Sequence, residues 1–343
     1  MTHRPPPAAL PPEAVCPVLH PPEPPVCTSG TTAAPSRRRW LAGSGLGLGL
    51  AATGLWPMSA AHAQKEKASP AVPPRAGDSS YEPSMGQIGK DVIWIPTPDA
   101  LVTRMLQLGG VTRSDFVIDL GSGDGKIVIA AARDFGARGL GIEYNPDMVA
   151  FAQRQAQAAG VAGRARFEKA DIFESDLSKA TVITMYLLPG LNLRLRPTLL
   201  KLRPGTKLIT HAFTMGGWQP DEVSRADGSS SHLWRVPANV AGRWRLSYPQ
   251  GGRRTTVPMA VTRQHFQFPE GTLDLRGVET SLGDARVIGE RVRFAFTGTD
   301  GVARTFVGRV NGAHIEGDVH DGRRSERFSA EREGSAPEID VTD

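Results

Sequence analysis

A doubly wound α/β sheet followed by a small all-β domain is the fold predicted for this 343-residue chain, and three observations predict it. Between Lys90 and Pro237, apolar runs of strand length alternate with helical stretches, the pattern of a mostly parallel sheet. Between Ala238 and Arg332 the pattern changes to short strands separated by turns such as Asp300-Gly301, Asn311-Gly312 and Asp321-Gly322. The third is the passage from Val117 to Gly125, where an apolar strand ends in Asp119 and breaks into a loop with glycine at 121, 123 and 125 before a helical pattern resumes.

Taken in order, the chain opens with residues 1–35, rich in proline and carrying both cysteines, Cys16 and Cys27. No packed core is expected there. Arg37, Arg38 and Arg39 precede Trp40-Leu41, a Gly-rich apolar run to Trp56 and then Ala61-His62-Ala63. That is the order of an export signal: a basic start, a short apolar stretch and a small-x-small cleavage site. The paired arginines resemble a twin-arginine signal. Residues 1–63 are therefore expected to be a removed leader, which places the mature protein in the bacterial periplasm; without a working leader it would stay cytoplasmic. Cleavage would leave a chain starting at Gln64 with no cysteine, which excludes disulfides, thiol catalysis and cysteine metal sites.

No later stretch is long enough for a membrane span. The formal charge is +5, and a leader holding four arginines and two glutamates accounts for two of those charges. What remains has no basic block, so nucleic acid is not an expected partner. Residues 64–89 are polar and Pro-rich, a linker. In the α/β region, 90–237, strands are expected near 115–120, 138–143, 164–170, 180–188 and 206–213. Helices are expected near 98–109, 124–135, 146–159 and 190–202. Asn145 is placed to cap the third helix, with Pro146 in its first turn. His232–Val236 suits an antiparallel last strand.

In the β region, 238–332, strands are expected at Gly242–Tyr248, Thr256–Thr262, His265–Phe268, Thr272–Arg276, Arg291–Thr297, Arg304–Val310, His314–Val319 and Glu326–Ser329. Together they make an antiparallel meander, barrel or sandwich. Val240–Leu246 resembles the opening strand of a lipocalin-like barrel. Such a domain either holds a ligand or substrate or is a structural appendage. Residues 333–343 are expected to be a loose tail.

The spacing of the glycine loop narrows its ligand. A dinucleotide fingerprint requires glycine where Lys126 stands, and a P-loop requires glycine where Leu120 stands. What fits is D-x-G-x-G-x-G over Asp119–Gly125. Two more acids follow at expected strand ends, Glu143 and Asp171. An acid at the second strand tip is placed to accept hydrogen bonds from ribose hydroxyls. Acids at three successive strand ends suit a cationic nucleoside better than a pyrophosphate.

These motifs resemble the class I S-adenosylmethionine (SAM)-dependent methyltransferases, whose sheet is Rossmann-like. With Asp91–Asp99, which contains Pro96-Thr97, and Met185-Tyr186-Leu187-Leu188-Pro189, they resemble the small protein-lysine N-methyltransferases of the ATP synthase c-subunit type, over roughly residues 87–220. The resemblance implies SAM as cofactor. It implies that Thr97 lies near the methionine end, Asp119, Gly121 and Gly123 with Ser122 along the carboxylate and ribose side, Glu143 at the ribose, and Asp171 with Ile172 at the adenine. Tyr186 and Trp94 are the candidates to line an acceptor channel, because aromatic faces favour an ammonium; rim packing is their alternative. His211 and Trp218 either face the cleft or pack in the core. The implied acceptor is a protein lysine or a small molecule, and no metal site is read from the eight histidines. The competing reading is an exported SAM- or ligand-binding protein without turnover. Intact Gly123, Glu143 and Asp171 favour the enzyme.

Overall fold

The computed structural model describes residues 81–91, 93–226 and 228–342. The expected leader, residues 1–63, and most of the expected linker lie outside the described residues. The helices are α1 (Asp99–Leu108), α2 (Lys126–Asp134), α3 (Pro146–Ala158) and α4 (Pro189–Leu200). Seven strands make the first sheet: β1 (Phe116–Leu120), β2 (Arg138–Glu143), β3 (Ala165–Lys169), β4 (Val182–Met185), β5 (Lys207–His211), β6 (Glu222–Ala226) and β7 (Ser229–Arg235). Their order is β3-β2-β1-β4-β5-β7-β6, with β7 alone reversed, so that β6 runs in the same direction as β1–β5.

The pleat explains why the central strands are apolar without interruption. Val117, Val182, Ile209 and Leu233 face α1 and α2, while Ile118, Ile183, Leu208 and Trp234 face the α4 side. A strand covered on both faces buries every residue, so period-2 polarity disappears. The α3 cap is as expected: Asp147 N donates to Asn145 Oδ1 at 2.9 Å, with Pro146 in the first turn. The polar edge strand β6 is absent from the sequence-based expectation, because Glu222-Val223-Ser224-Arg225-Ala226 carries no apolar alternation.

The second sheet holds nine antiparallel strands: β8 (Gly242–Gln250), β9 (Arg253–His265), β10 (Phe268–Asp274), β11 (Glu279–Ser281), β12 (Gly283–Ile288), β13 (Arg291–Thr297), β14 (Ala303–Asn311), β15 (His314–His320) and β16 (Ser325–Glu333). It curls until β12 meets β10, where Val287 N donates to Gln267 O and Leu282 N to Gly271 O at 2.8 and 2.9 Å. The result is a nearly closed barrel. Its interior is filled: Tyr248, Phe294, Phe296, Phe306 and Phe328 pack ring against ring. A residual void of about 10 Å³ remains, too small to shelter more than one water. A ligand inside the barrel is therefore not supported, whereas its outer surface carries a groove of about 340 Å³ beside Arg243, Pro258, Thr272 and Glu279.

Three further expectations are corrected. His265–Phe268 is no strand but the β9–β10 turn, with Phe266 at φ +50° and fully buried. The tail is not loose: Asp340 pairs with His265, and Arg196 Nη2 donates to Val341 O at 2.9 Å. Within the expected linker, Tyr81–Gly89 is folded. Gly86 N donates to Trp94 O and Trp94 N to Gln87 O, both at 2.9 Å, and Ile88 bridges Ile93, so this stretch pairs back on Ile93 and Trp94. No helix of the described residues is long and apolar enough to cross a membrane.

Candidate active site

The carboxyl ends of β1, β2 and β4 open into one cleft. Trp94, Thr97, Asp119, Gly121, Ser122, Glu143, Asp171, Ile172 and Tyr186 all line it, so nine residues from five separate sequence segments converge. Gly123 lies under Trp94 at the same place. Gly121, Gly123 and Gly125 sit at φ +75°, +53° and +79°, a left-handed backbone that side chains disfavour. Space enforces the same choice. A Cβ on Gly123 would fall 2.4 Å from Trp94 Nε1, and one on Gly125 would fall 2.6 Å from the Phe167 ring.

The acids differ in their surroundings. Glu143 is fixed by two backbone donors, Gly123 N to Oε2 at 3.0 Å and Asn145 N to Oε1 at 2.9 Å. Asp119 is buried, accepts from Thr184 Oγ1 at 2.6 Å, and is pushed up to about 7 by loss of solvent, with Asp124 and Glu143 adding repulsion. Burial also raises Asp124. Asp171 goes the other way. Lys90 Nζ donates to its Oδ2 at 2.5 Å and holds the carboxyl below the usual range. The same ammonium stands 4.7 Å from the centre of the Tyr144 ring.

Tyr186 forms the opposite wall. Its ring centre is 3.8 Å from that of His211 and 6.2 Å from that of Phe213. His211 is buried, and burial lowers its pKa, which favours the neutral imidazole. Its Nδ1 lies 3.2 Å from Thr97 Oγ1, which ties the end of β5 to the segment before α1. The two aromatic candidates therefore separate: Tyr186 stacks on His211, whereas Trp94 lies on the glycine loop. Trp218 is a core residue, fully buried against Trp234 and Phe266. His211 is likewise buried, but it packs directly behind the cleft.

Several lining residues are not singled out by the sequence: Lys90, Asp124, Lys126 and Tyr144. Tyr144 follows Glu143 directly, which is a usable signal. Lys126 counts in the motif reading only as an obstacle to other motifs, yet it bonds Asp99 at 2.8 Å and Thr97 O at 3.2 Å across the cleft floor. Nothing in the sequence connects Lys90 with Asp171, 81 positions apart.

The residues fit SAM. Bare glycine backbone allows close approach, the Glu143 carboxylate is aligned, and the acid-lined floor complements a cation. A β3-β2-β1-β4-β5-β7-β6 sheet with this loop and these acids at its strand tips defines a class I SAM-dependent methyltransferase. Residues 119–222 match the family model described as ANTKMT methyltransferase domain. A protein-lysine N-methyltransferase of Saccharolobus islandicus is 44% identical over 144 residues, covering 41% of this chain and 89% of the relative. The human ATP synthase c-subunit lysine N-methyltransferase is 34% identical over 169 residues, 49% of this chain and 64% of that protein. The chain thus spans a little under two thirds of the human relative, and 48% of the mouse one. The structure of a Salinibacter ruber RNA methyltransferase in complex with S-adenosyl-L-homocysteine is 49% identical, covering 43% of this chain and 96% of its own at a TM-score of 0.42. This chain belongs to the protein-lysine N-methyltransferase family and is an enzyme that uses SAM.

Proposed function

We propose that the enzyme transfers the SAM methyl group to the side-chain amine of a lysine in a protein. The observation that carries this reading is the Tyr186 wall. An aromatic face, backed by a histidine whose burial favours the neutral form, stands at the end of β4 in the same cleft as the glycine loop. An amine approaching as an ammonium is attracted by that face. It must lose its proton before an in-line displacement at the methyl group, and a neutral wall avoids holding a second positive charge beside it. Ile93 and Ile95 line the cleft and are exposed, an apolar rim better suited to a polypeptide than to a small polar acceptor. The names of the relatives support the same acceptor.

Within this reading Glu143 holds the ribose, Asp171 with Ile172 the adenine, and Thr97, Asp119, Gly121, Ser122 and Gly123 the remainder of the cofactor. Tyr186 guides the amine. Trp94 shields the glycine loop.

The test uses methyl-tritiated SAM with three acceptors: poly-L-lysine, heat-treated bacterial protein and total RNA. Label recovered as methyllysine after acid hydrolysis is the expected result, and label confined to RNA would overturn the reading. Location is a separate proposal, resting on residues 1–63 alone. Export is expected to fail, and precursor to accumulate in the cytoplasm, when Arg37 and Arg38 are both replaced by lysine.

A further inference from the structure

We propose that the C-terminal barrel is a clamp for the acceptor side of the active site: it fixes the loop between β5 and β6, and through that loop the ring of Tyr186. This rests on the reading of Tyr186 as the acceptor wall, and it assigns a role to a domain whose own interior is filled.

The loop begins in strain. Phe213 N donates to His211 O at 2.7 Å around Ala212, which sits at φ +62°. An i→i+2 bond around a non-glycine residue at positive φ is the disfavoured form of the γ-turn, and it persists only where its surroundings impose it. Its effect is to set both flanking rings, His211 and Phe213, against Tyr186.

Neighbouring side chains impose it. Four carbonyls of the loop each receive a side-chain N–H. Thr214 O accepts from Asn192 Nδ2 at 3.2 Å, and Met215 O from Arg196 Nη1 at 2.9 Å. Trp218 O accepts from Trp234 Nε1 and Gln219 O from Gln267 Nε2, both at 2.9 Å. The last of these donors belongs to the barrel. The neighbouring barrel residue, Phe266, lies flat on Trp218 with ring centres 5.9 Å apart and planes 6° from parallel. Phe266 and Trp218 are buried in the same core cluster as Met185, the residue before Tyr186.

The tail closes the arrangement. Phe266 N donates to Asp340 O, Asp340 N to Gln264 O, and Arg196 spans from Met215 O to Val341 O. Arg286 of β12 adds an ion pair at 3.3 Å to Asp221, the last residue of the loop, whose side chain is buried. The β9–β10 turn and α4 thus grip the loop, and the tail braces both of them. A loop with a strained start, whose carbonyls are held by side chains from outside it, takes its conformation from those holds.

The experiment uses the full chain labelled with 13C at tyrosine. There are four tyrosines, and Tyr186→Phe identifies the signal of interest. Its stacking on His211 displaces that signal by ring current. Phe266→Leu keeps apolar volume but loses the flat stack, and Gln267→Ala removes the bond to Gln219. Phe296→Leu, inside the barrel and away from the loop, controls for general destabilisation. The expected result is that the Tyr186 signal moves toward its unstacked position in the first two variants and not in the third. SAM affinity by calorimetry should stay within about twofold, and kcat on poly-L-lysine should fall at least fivefold in Phe266→Leu. An unmoved Tyr186 signal in folded Phe266→Leu and Gln267→Ala overturns the clamp, as does an equal shift in Phe296→Leu. If wild type leaves poly-L-lysine unmethylated, the acceptor reading is weakened, while the tyrosine signals still decide the clamp.

Discussion

Asp119→Asn tests the electrostatics of the cleft most directly. In the folded protein the carboxyl is raised from 3.8 to about 7, chiefly because burial strips it of water. Below about pH 4 both folded and unfolded forms are protonated, and the site has no effect on stability. As pH rises the unfolded chain ionises first, so wild type loses stability until about pH 7 and then levels off. Each tenfold in proton affinity is worth ~1.4 kcal/mol, which gives a total loss of about 4 kcal/mol at alkaline pH. Roughly 2–3 kcal/mol of it falls between pH 5 and pH 8. Asparagine mimics the protonated acid: it accepts from Thr184 Oγ1 and never ionises. The measurement is denaturant unfolding of both proteins from pH 4 to pH 9. The stability of Asp119→Asn relative to wild type should grow with pH and plateau above 7. A difference that stays flat over that range would refute the raised carboxyl. The same group predicts that wild-type SAM affinity climbs as pH passes 7, because the ionised acid favours a cation, and that Asp119→Asn loses this climb.

Gly125→Ala should cost about 2–4 kcal/mol in unfolding experiments, since a left-handed φ and a collision with Phe167 and Ala152 act together; a loss under about 0.5 kcal/mol would show that α3 and β3 can make room. Lys90→Ala frees the Asp171 carboxylate from its ion pair, so calorimetry should show SAM binding severalfold tighter; weaker binding would mean that Lys90 serves the cofactor. Tyr186→Phe keeps the aromatic face and should retain kcat within about threefold, whereas Tyr186→Ala should lose at least tenfold with SAM affinity unchanged. Equal losses in the two variants would assign the role to the hydroxyl.

The cofactor half of the site is legible in the sequence because its requirements are local. Glycines at positive φ, an acid at a strand tip and a helix start occupy a few consecutive residues, and a Cβ at 123 or 125 has nowhere to go. Glu143 and Asp171 are legible for the same reason, Glu143 closing an expected strand and Asp171 standing just past the end of the next. The edge strand β6 escapes a sequence reading because it is polar and takes its shape from pairing with β7. The β9–β10 turn reads as strand because Phe266 is apolar, and its burial in the core of the other sheet follows from tertiary contact.

The acceptor half is much less legible. His211 has two open readings in the sequence, and only the fold shows it buried, stacked on Tyr186 and bonded to Thr97, 114 positions away. Lys90 meets Asp171 only because the segment before α1 folds over the strand ends. The tail has the composition of a loose end, yet its backbone completes hydrogen bonds that α4 and β9 leave open. The sequence by itself determined the α/β and all-β succession, the glycine loop, the acids and hence the cofactor, since backbone conformation and strand-end chemistry are short-range. Which aromatic faces the acceptor, and what the barrel holds in place, was decided by the tertiary structure alone, because those depend on packing and pairing between residues far apart in the chain.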